Sequence, residues 1–359
     1  MSKERNDVID AMKGFAILLV VLGHAIQRNI PEADDTLVYR VIYSFHMPLF
    51  MFLAGIVSVY SAELPGLLFL KKKILALVVP FITWYLLSYF VTGAYHTTSV
   101  KTYLVQVVLS PDWGLWFLWV LFLNYCALVF SIKMAEGLKV SAFLVTFLLI
   151  RWAPFESFGM GLLRVHFLYF ALGHLCMKYR GTVAVYLSPF RYSALVIFFP
   201  LAFEWHRTKG FFFSHKVNQF LAKNQIPILP EHLYYLCSVV MALSGIVFAY
   251  LFVGMMRWSF IRRYLCQLGS YTLDIYASHQ LFLGYGFGKS YFKIASTAIV
   301  ALVMSLSLSY FILRRFQILN VLFLGGRGKL GVRSGKDLFV RTISRLKLCL
   351  TAFLARGLG

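Results

Sequence analysis

Asp10-Ala-Met-Lys13-Gly14-Phe-Ala-Ile-Leu-Leu-Val-Val-Leu-Gly23-His24 is the stretch on which the reading of this chain turns. Every residue between Lys13 and His24 is apolar or glycine. Read as a helix, eleven steps of about 100° return His24 to nearly the face of Lys13, roughly 16 Å further along the axis. The apolar run around the pair approaches bilayer length, and ionisable groups in such a segment are costly, so by default they mark chemistry or transport.

The 359 residues are 60% hydrophobic and 18% aromatic, with 14% charged, and the mean hydropathy is +0.74. Soluble domains average about 25% charged residues, so this composition predicts an all-α polytopic membrane protein. The net charge is +21, from 35 Lys and Arg against 14 Asp and Glu. These cations lie in short clusters between apolar segments and in the tail. That distribution points to anionic lipid headgroups or an anionic cofactor and away from nucleic acid. Five scattered cysteines (Cys126, Cys176, Cys237, Cys266 and Cys349) form neither a metal motif nor a disulfide framework. Lys3 and Arg5 precede the first apolar segment with no small-residue cleavage site after it, so an uncleaved first span is expected.

Ten apolar segments are expected to cross the bilayer, near 8–27, 41–60, 74–94, 114–132, 138–153, 160–177, 192–205, 233–256, 268–288 and 294–313. An even count puts both termini on one side. A cytoplasmic amino terminus then places most of the loop lysines and arginines inside, in line with the positive-inside rule. Residues 1–324 form the membrane domain and 325–359 a basic cytoplasmic tail. In the tail a Gly-rich linker precedes Phe339, Ile343, Leu346, Leu350 and Phe353 at helical spacing, which predicts a helix lying on anionic lipid. No internal repeat of the transporter kind stands out.

For His24 two readings stand. It is a general base for an alcohol, since imidazole titrates near neutrality, or it is an imidazole bonded at a helix interface while Lys13 snorkels to the headgroups. His46, in Phe45-His46-Met47-Pro48, lies at a similar depth, where Pro48 frees backbone groups that need partners. Lys71-Lys72-Lys73 either fixes topology or binds a phosphate-bearing cytosolic cofactor through Lys71 and Lys73. Asp274 and His279 are about 140° apart on a helix, which makes Asp274 a poor orienter for His279. His166, Arg164 and Glu204 complete the membrane polar set, and His174 reads as structural. No Gly-x-Ser-x-Gly elbow, His-Glu-x-x-His pair or Cys/His nucleophile is present. The set suits acid–base chemistry on two bound substrates, or else a proton and substrate path through a transporter or flippase for a lipid-linked sugar.

Taken together these motifs resemble the acyltransferase-3 family of integral membrane acyltransferases, in particular its fucose 4-O-acetyltransferase-like branch. The resemblance rests on Lys13-x10-His24, on Phe45-His46-Met47-Pro48-Leu49-Phe50, and on the basic triplet leading to Pro80 and Trp84. It extends to Trp116-Phe117-Leu118 and to Ser270-x-Thr272-Leu273-x-Ile275-Tyr276-x-x-His279. It implies transfer of an acyl group, usually acetyl, from cytosolic acetyl-CoA to a hydroxyl of a cell-surface or lipid-linked polysaccharide, in the bacterial inner membrane. Lys13 and His24 would be catalytic, Lys71 and Lys73 would engage the acyl donor, and His46 and His279 would bind substrate. The family carries arginines where Lys71 and Lys73 stand, and lysine lacks the bidentate fork.

Overall fold

A computed structural model describes residues 7–61, 65–111, 115–138, 140–187, 189, 191–211, 230–256 and 259–326. The expected surface helix of the tail and most of the loop at 206–232 lie outside these residues. Among the described residues the chain is almost entirely helical, as its composition requires. The one exception is a two-stranded ribbon, Trp205–His206 (β1) against Gly210–Phe211 (β2).

Among the described residues seven helices are long and apolar enough to cross a membrane. They are α1 (Asp7–Asn29), α2 (Leu37–Ser61), α3 (Gly66–Val91), α5 (Trp116–Ala135), α7 (Ser157–Lys178), α10 (Leu233–Met255) and α13 (Ser290–Leu313). Between them lie α4 (Val100–Leu109), α6 (Ser141–Arg151), α8 (Arg180–Leu187), α9 (Ser193–Glu204), α11 (Ser259–Ser270) and α12 (Thr272–Ser278), with α14 (Gln317–Leu324) at the end. The expected spans at 138–153 and 192–205 are represented by α6 and α9, with 11 and 12 residues. At about 1.5 Å per residue, neither covers a 30 Å hydrocarbon core by itself. The expected span at 268–288 is broken. Tyr271 leaves helical geometry between α11 and α12, and a 3-10 turn at His279–Phe282 follows. Hydropathy registers apolar length and is blind to such breaks.

The two helices at the centre are α1 and α2, each with 61% of its apolar window buried against 33–44% for the other five. Their neighbours are drawn in by small residues. A Cβ on Gly14 would collide with the Leu265 carbonyl of α11, and one on Gly269 with the Asp10 carbonyl of α1, so α1 and α11 cross backbone to backbone. The same reciprocal pattern joins α2 to α7, through Gly55 against Phe170 and Gly173 against Phe52. Small residues let membrane helices gain van der Waals contact that lipid would otherwise supply. At the second crossing His174 meets Ser58 Oγ at 2.7 Å, a helix-packing role that agrees with its structural reading.

Among the described residues two π-helical turns adjust the bundle. One, Ile74–Val78, follows Lys73 within α3, so the three lysines lie inside a helix that begins at Gly66, not ahead of a span beginning at 74. The other, Ser309–Leu313, ends α13. On the opposite side the loop after α1 is clamped to the β ribbon, with His206 Nε2 at 3.0 Å from Asp35 and Arg207 at 3.1 Å from Asp34. Bonds from His206 and Lys209 hold the Asp35 carboxyl below the usual carboxylate range.

Candidate functional site

A cavity of about 250 Å³ opens between α1, α2, α3, α5 and the broken α11–α12 segment. Lys13 and Lys73 both line it, together with apolar Met47, Phe50 and Leu121 and with Tyr276. Lys13 Nζ lies 3.2 Å from Asp10 one turn earlier on α1. Lys73 Nζ sits 3.9 Å from the centroid of the Tyr125 ring, a cation–π contact that holds an ammonium at the edge of an apolar space. Lys71, two residues earlier and about 160° away around α3, is exposed and outside the lining. The structure thus brings Lys13 and Lys73 together at one cavity and leaves Lys71 on the neighbouring surface. Arg262 and Arg263 also lie outside it.

Asp274 lines the same cavity and is only 2% exposed. Arg314 secures it with Nε at 2.7 Å and Nη2 at 3.1 Å, and Ser309 donates a short hydrogen bond to the same carboxylate. A π turn closes over five residues, and this one carries Arg314 N–H to the Ser309 carbonyl, which sets both side chains toward Asp274. Arg314 also stacks over Tyr271, 4.0 Å from the centroid, at the break between α11 and α12. The ion pair therefore pins the broken segment to α13. Sequence reading missed it. An aspartate in an apolar run does call for a partner, but nothing local says that the partner is 40 residues away.

Beyond Tyr276 lies a group of imidazoles. Tyr276 bridges the two regions. It lines the cavity, its hydroxyl accepts from the Phe117 amide at 3.2 Å, and its ring is 6.3 Å from that of His279. The His279 ring is 5.2 Å from the His24 ring. Tyr43 stands edge-on to His24 at 6.4 Å and tilts against His46 at 4.7 Å. Gln27 ties the group together, its Oε1 3.3 Å from His24 Nδ1 and 3.2 Å from the Tyr43 hydroxyl. His46 is buried, with Nδ1 2.8 Å from the Ile42 carbonyl. His24 and His46 thus both face Tyr43, and His279 joins the group through the ring of His24. His166 stacks on Trp116 at 5.1 Å. Arg164 binds the Ala153 and Phe155 carbonyls and Glu156, a clamp on the loop ahead of α7. Among the described residues no group of three His, Cys, Asp or Glu is placed to hold a metal ion.

The arrangement has two ends. At one, cations stand over an apolar cavity suited to the anionic and acyl parts of a single ligand. At the other, imidazoles with amide and phenol partners suit a hydroxyl-rich ligand and can move its proton. Lys13 and His24 occupy different ends.

The sequence profile of a family described as an acyltransferase domain matches residues 6–314. The nodulation protein NolL of Mesorhizobium japonicum is 25% identical over 183 residues, 48% of this chain and 48% of that protein. The nodulation protein NolL of Sinorhizobium fredii is 28% identical over 133 residues, 34% of this chain and 36% of that protein. The match thus spans about half the length or less of these relatives. No solved structure matches the chain.

Proposed function

This chain belongs to the acyltransferase family whose profile covers residues 6–314, and on that premise we propose that it is a membrane O-acyltransferase moving acetyl from cytosolic acetyl-CoA to a sugar hydroxyl. The acceptor is a cell-surface or lipid-linked polysaccharide, and the site of action is the bacterial inner membrane. The observation that carries the reading is the junction at Tyr276, where a lysine-lined apolar cavity abuts the imidazoles of His24, His46 and His279.

In this reading the acyl arm of the donor occupies the cavity. Lys73 and Lys13 face its polar parts, and exposed Lys71 meets the nucleotide phosphates that stay in water. Ammonium groups neutralise phosphate as point charges without needing a fork. Neutral His24 takes the proton of the acceptor hydroxyl as that oxygen attacks the thioester, while His46 and His279 hold the acceptor. Lys13 serves the donor and not the proton on His24, since about 16 Å of helix separates them. A dry bundle that orients two substrates supplies much of the rate in transfer without a covalent enzyme intermediate. The basic tail at 325–359 is assigned to anionic lipid at the same face as the donor.

Transfer of radiolabelled acetyl from acetyl-CoA into envelope glycan, in membranes carrying the protein, tests the proposal. Loss of the general base in His24→Ala is expected to cut transfer about 10²–10⁴-fold at unchanged protein level. Full activity in that variant would overturn the assignment.

A further inference from the structure

The imidazole pair also restricts which hydroxyl the site accepts, an inference that rests on the acyl-transfer reading. His279 is fully buried. Its Nδ1 lies 3.0 Å from the Ile275 carbonyl and 2.9 Å from the Tyr276 carbonyl. Carbonyl oxygens only accept, so Nδ1 carries the proton and Nε2 the lone pair. That Nε2 is buried and has no hydrogen-bond partner among the described residues. A buried acceptor left unpaired is costly, and such an atom in a polar group points to a ligand that donates to it.

On another helix His24, only half-buried, takes the same tautomer. Gln27 Oε1 accepts from the Tyr43 hydroxyl and from His24 Nδ1, so the proton of His24 is also on Nδ1 and its lone pair on Nε2. With ring centroids 5.2 Å apart, two neutral imidazoles each offer an acceptor and neither can donate to the other. A lone hydroxyl has one proton and satisfies one of them. Two hydroxyls on adjacent carbons satisfy both.

We propose that the acceptor is a vicinal diol of a sugar ring. One hydroxyl gives its hydrogen bond to His279, and its neighbour, bound to His24, is acylated. In the step the O–H bond breaks and its proton passes to His24 Nε2. The freed oxygen bonds to the thioester carbonyl carbon, the C–S bond breaks with its electron pair on sulfur, and the proton held on His24 ends on the coenzyme thiol. His279 gains no proton. It fixes the ring so that one hydroxyl of the pair faces the base.

The test applies to a sugar of any identity, because periodate cleaves vicinal diols and spares isolated hydroxyls. Envelope glycan is treated with periodate, its aldehydes are blocked with methoxyamine, and it is offered with labelled acetyl-CoA to membranes carrying the protein. Incorporation is expected to fall at least tenfold against untreated glycan. In parallel, His279→Leu is expected to raise the acceptor KM at least tenfold while the acetyl-CoA KM stays within twofold. His279→Gln, which keeps an acceptor oxygen near the Nε2 position, should restore most of that loss. Undiminished incorporation into treated glycan, or an unchanged acceptor KM in folded His279→Leu, would overturn the diol. Full activity in His24→Ala would overturn His24 as the base, and no transfer into untreated glycan would overturn the acyl-transfer reading itself.

Discussion

Substituting Arg314 by methionine should cripple this protein through Asp274, and the size of the effect follows from the geometry. The two groups meet at 2.7 and 3.1 Å, with side-chain exposures of 10% and 2%. At an effective dielectric of about 20, charges 2.7 Å apart attract by about 6 kcal/mol before desolvation is subtracted. Removing one partner of such a pair strands the other, at a typical cost of about 3–5 kcal/mol. Arg314→Met should therefore lower unfolding free energy by that amount, measured as resistance to a rising fraction of denaturing detergent in mixed micelles. Asp274→Asn alone should also destabilise, since Arg314 then lacks its counter-charge. The double variant carries no stranded charge, so its loss should fall short of the summed single losses by about 2 kcal/mol or more. Losses that simply add would refute the claim that this pair pins the broken α11–α12 segment to α13. The cavity should register the same change, because Asp274 lines it.

Gly14→Ala or Gly269→Ala should push α1 off α11 and cost about 1–3 kcal/mol by overpacking, with reduced yield of folded protein and slower transfer per molecule, read by detergent unfolding and acetyl incorporation. Lys73→Ala should raise the acetyl-CoA KM about tenfold, with Lys71→Ala having the smaller effect and the acceptor KM unmoved by either. His174→Ala should cost about 1 kcal/mol or more of stability by losing its bond to Ser58, while activity per folded molecule stays near that of the parent. Because the folded Asp35 carboxyl titrates below its ordinary range, its contribution to clamping the loop is present at neutral pH and fades as pH falls through the depressed value. Asp35→Asn should thus speed hydrogen exchange across 33–36 at pH 7, and the difference from the parent should vanish in strong acid.

How much of this was legible in the sequence can be followed residue by residue. Helix rise alone placed Lys13 and His24 about 16 Å apart, and the structure gives each a different neighbourhood. The angle between Asp274 and His279 likewise put them on different faces, and they do face different ends of the site. What local pattern could not supply was the choice of partners. Gln27 was an ordinary polar residue near a helix end until Tyr43, from α2, was folded against it. Arg314 is in sequence one of two arginines that follow the last apolar segment, yet it reaches Asp274. Reading 268–288 as one span concealed the kink at Tyr271, because hydropathy sums over side chains and carries no backbone angle.

The sequence by itself determined that the chain is helical and membrane-embedded, since 60% apolar residues in long runs leave the backbone no other way to satisfy its polar groups in lipid. It also determined the family and the axial separation of Lys13 and His24, because rise per residue is a property of the helix alone. Only the tertiary structure decided that His24 faces His279, that Lys73 and not Lys71 joins Lys13, and that Asp274 is neutralised from 40 residues away. Those contacts depend on rotation and crossing of whole helices, set by close approaches such as Gly14 on Leu265, and no local spacing encodes them.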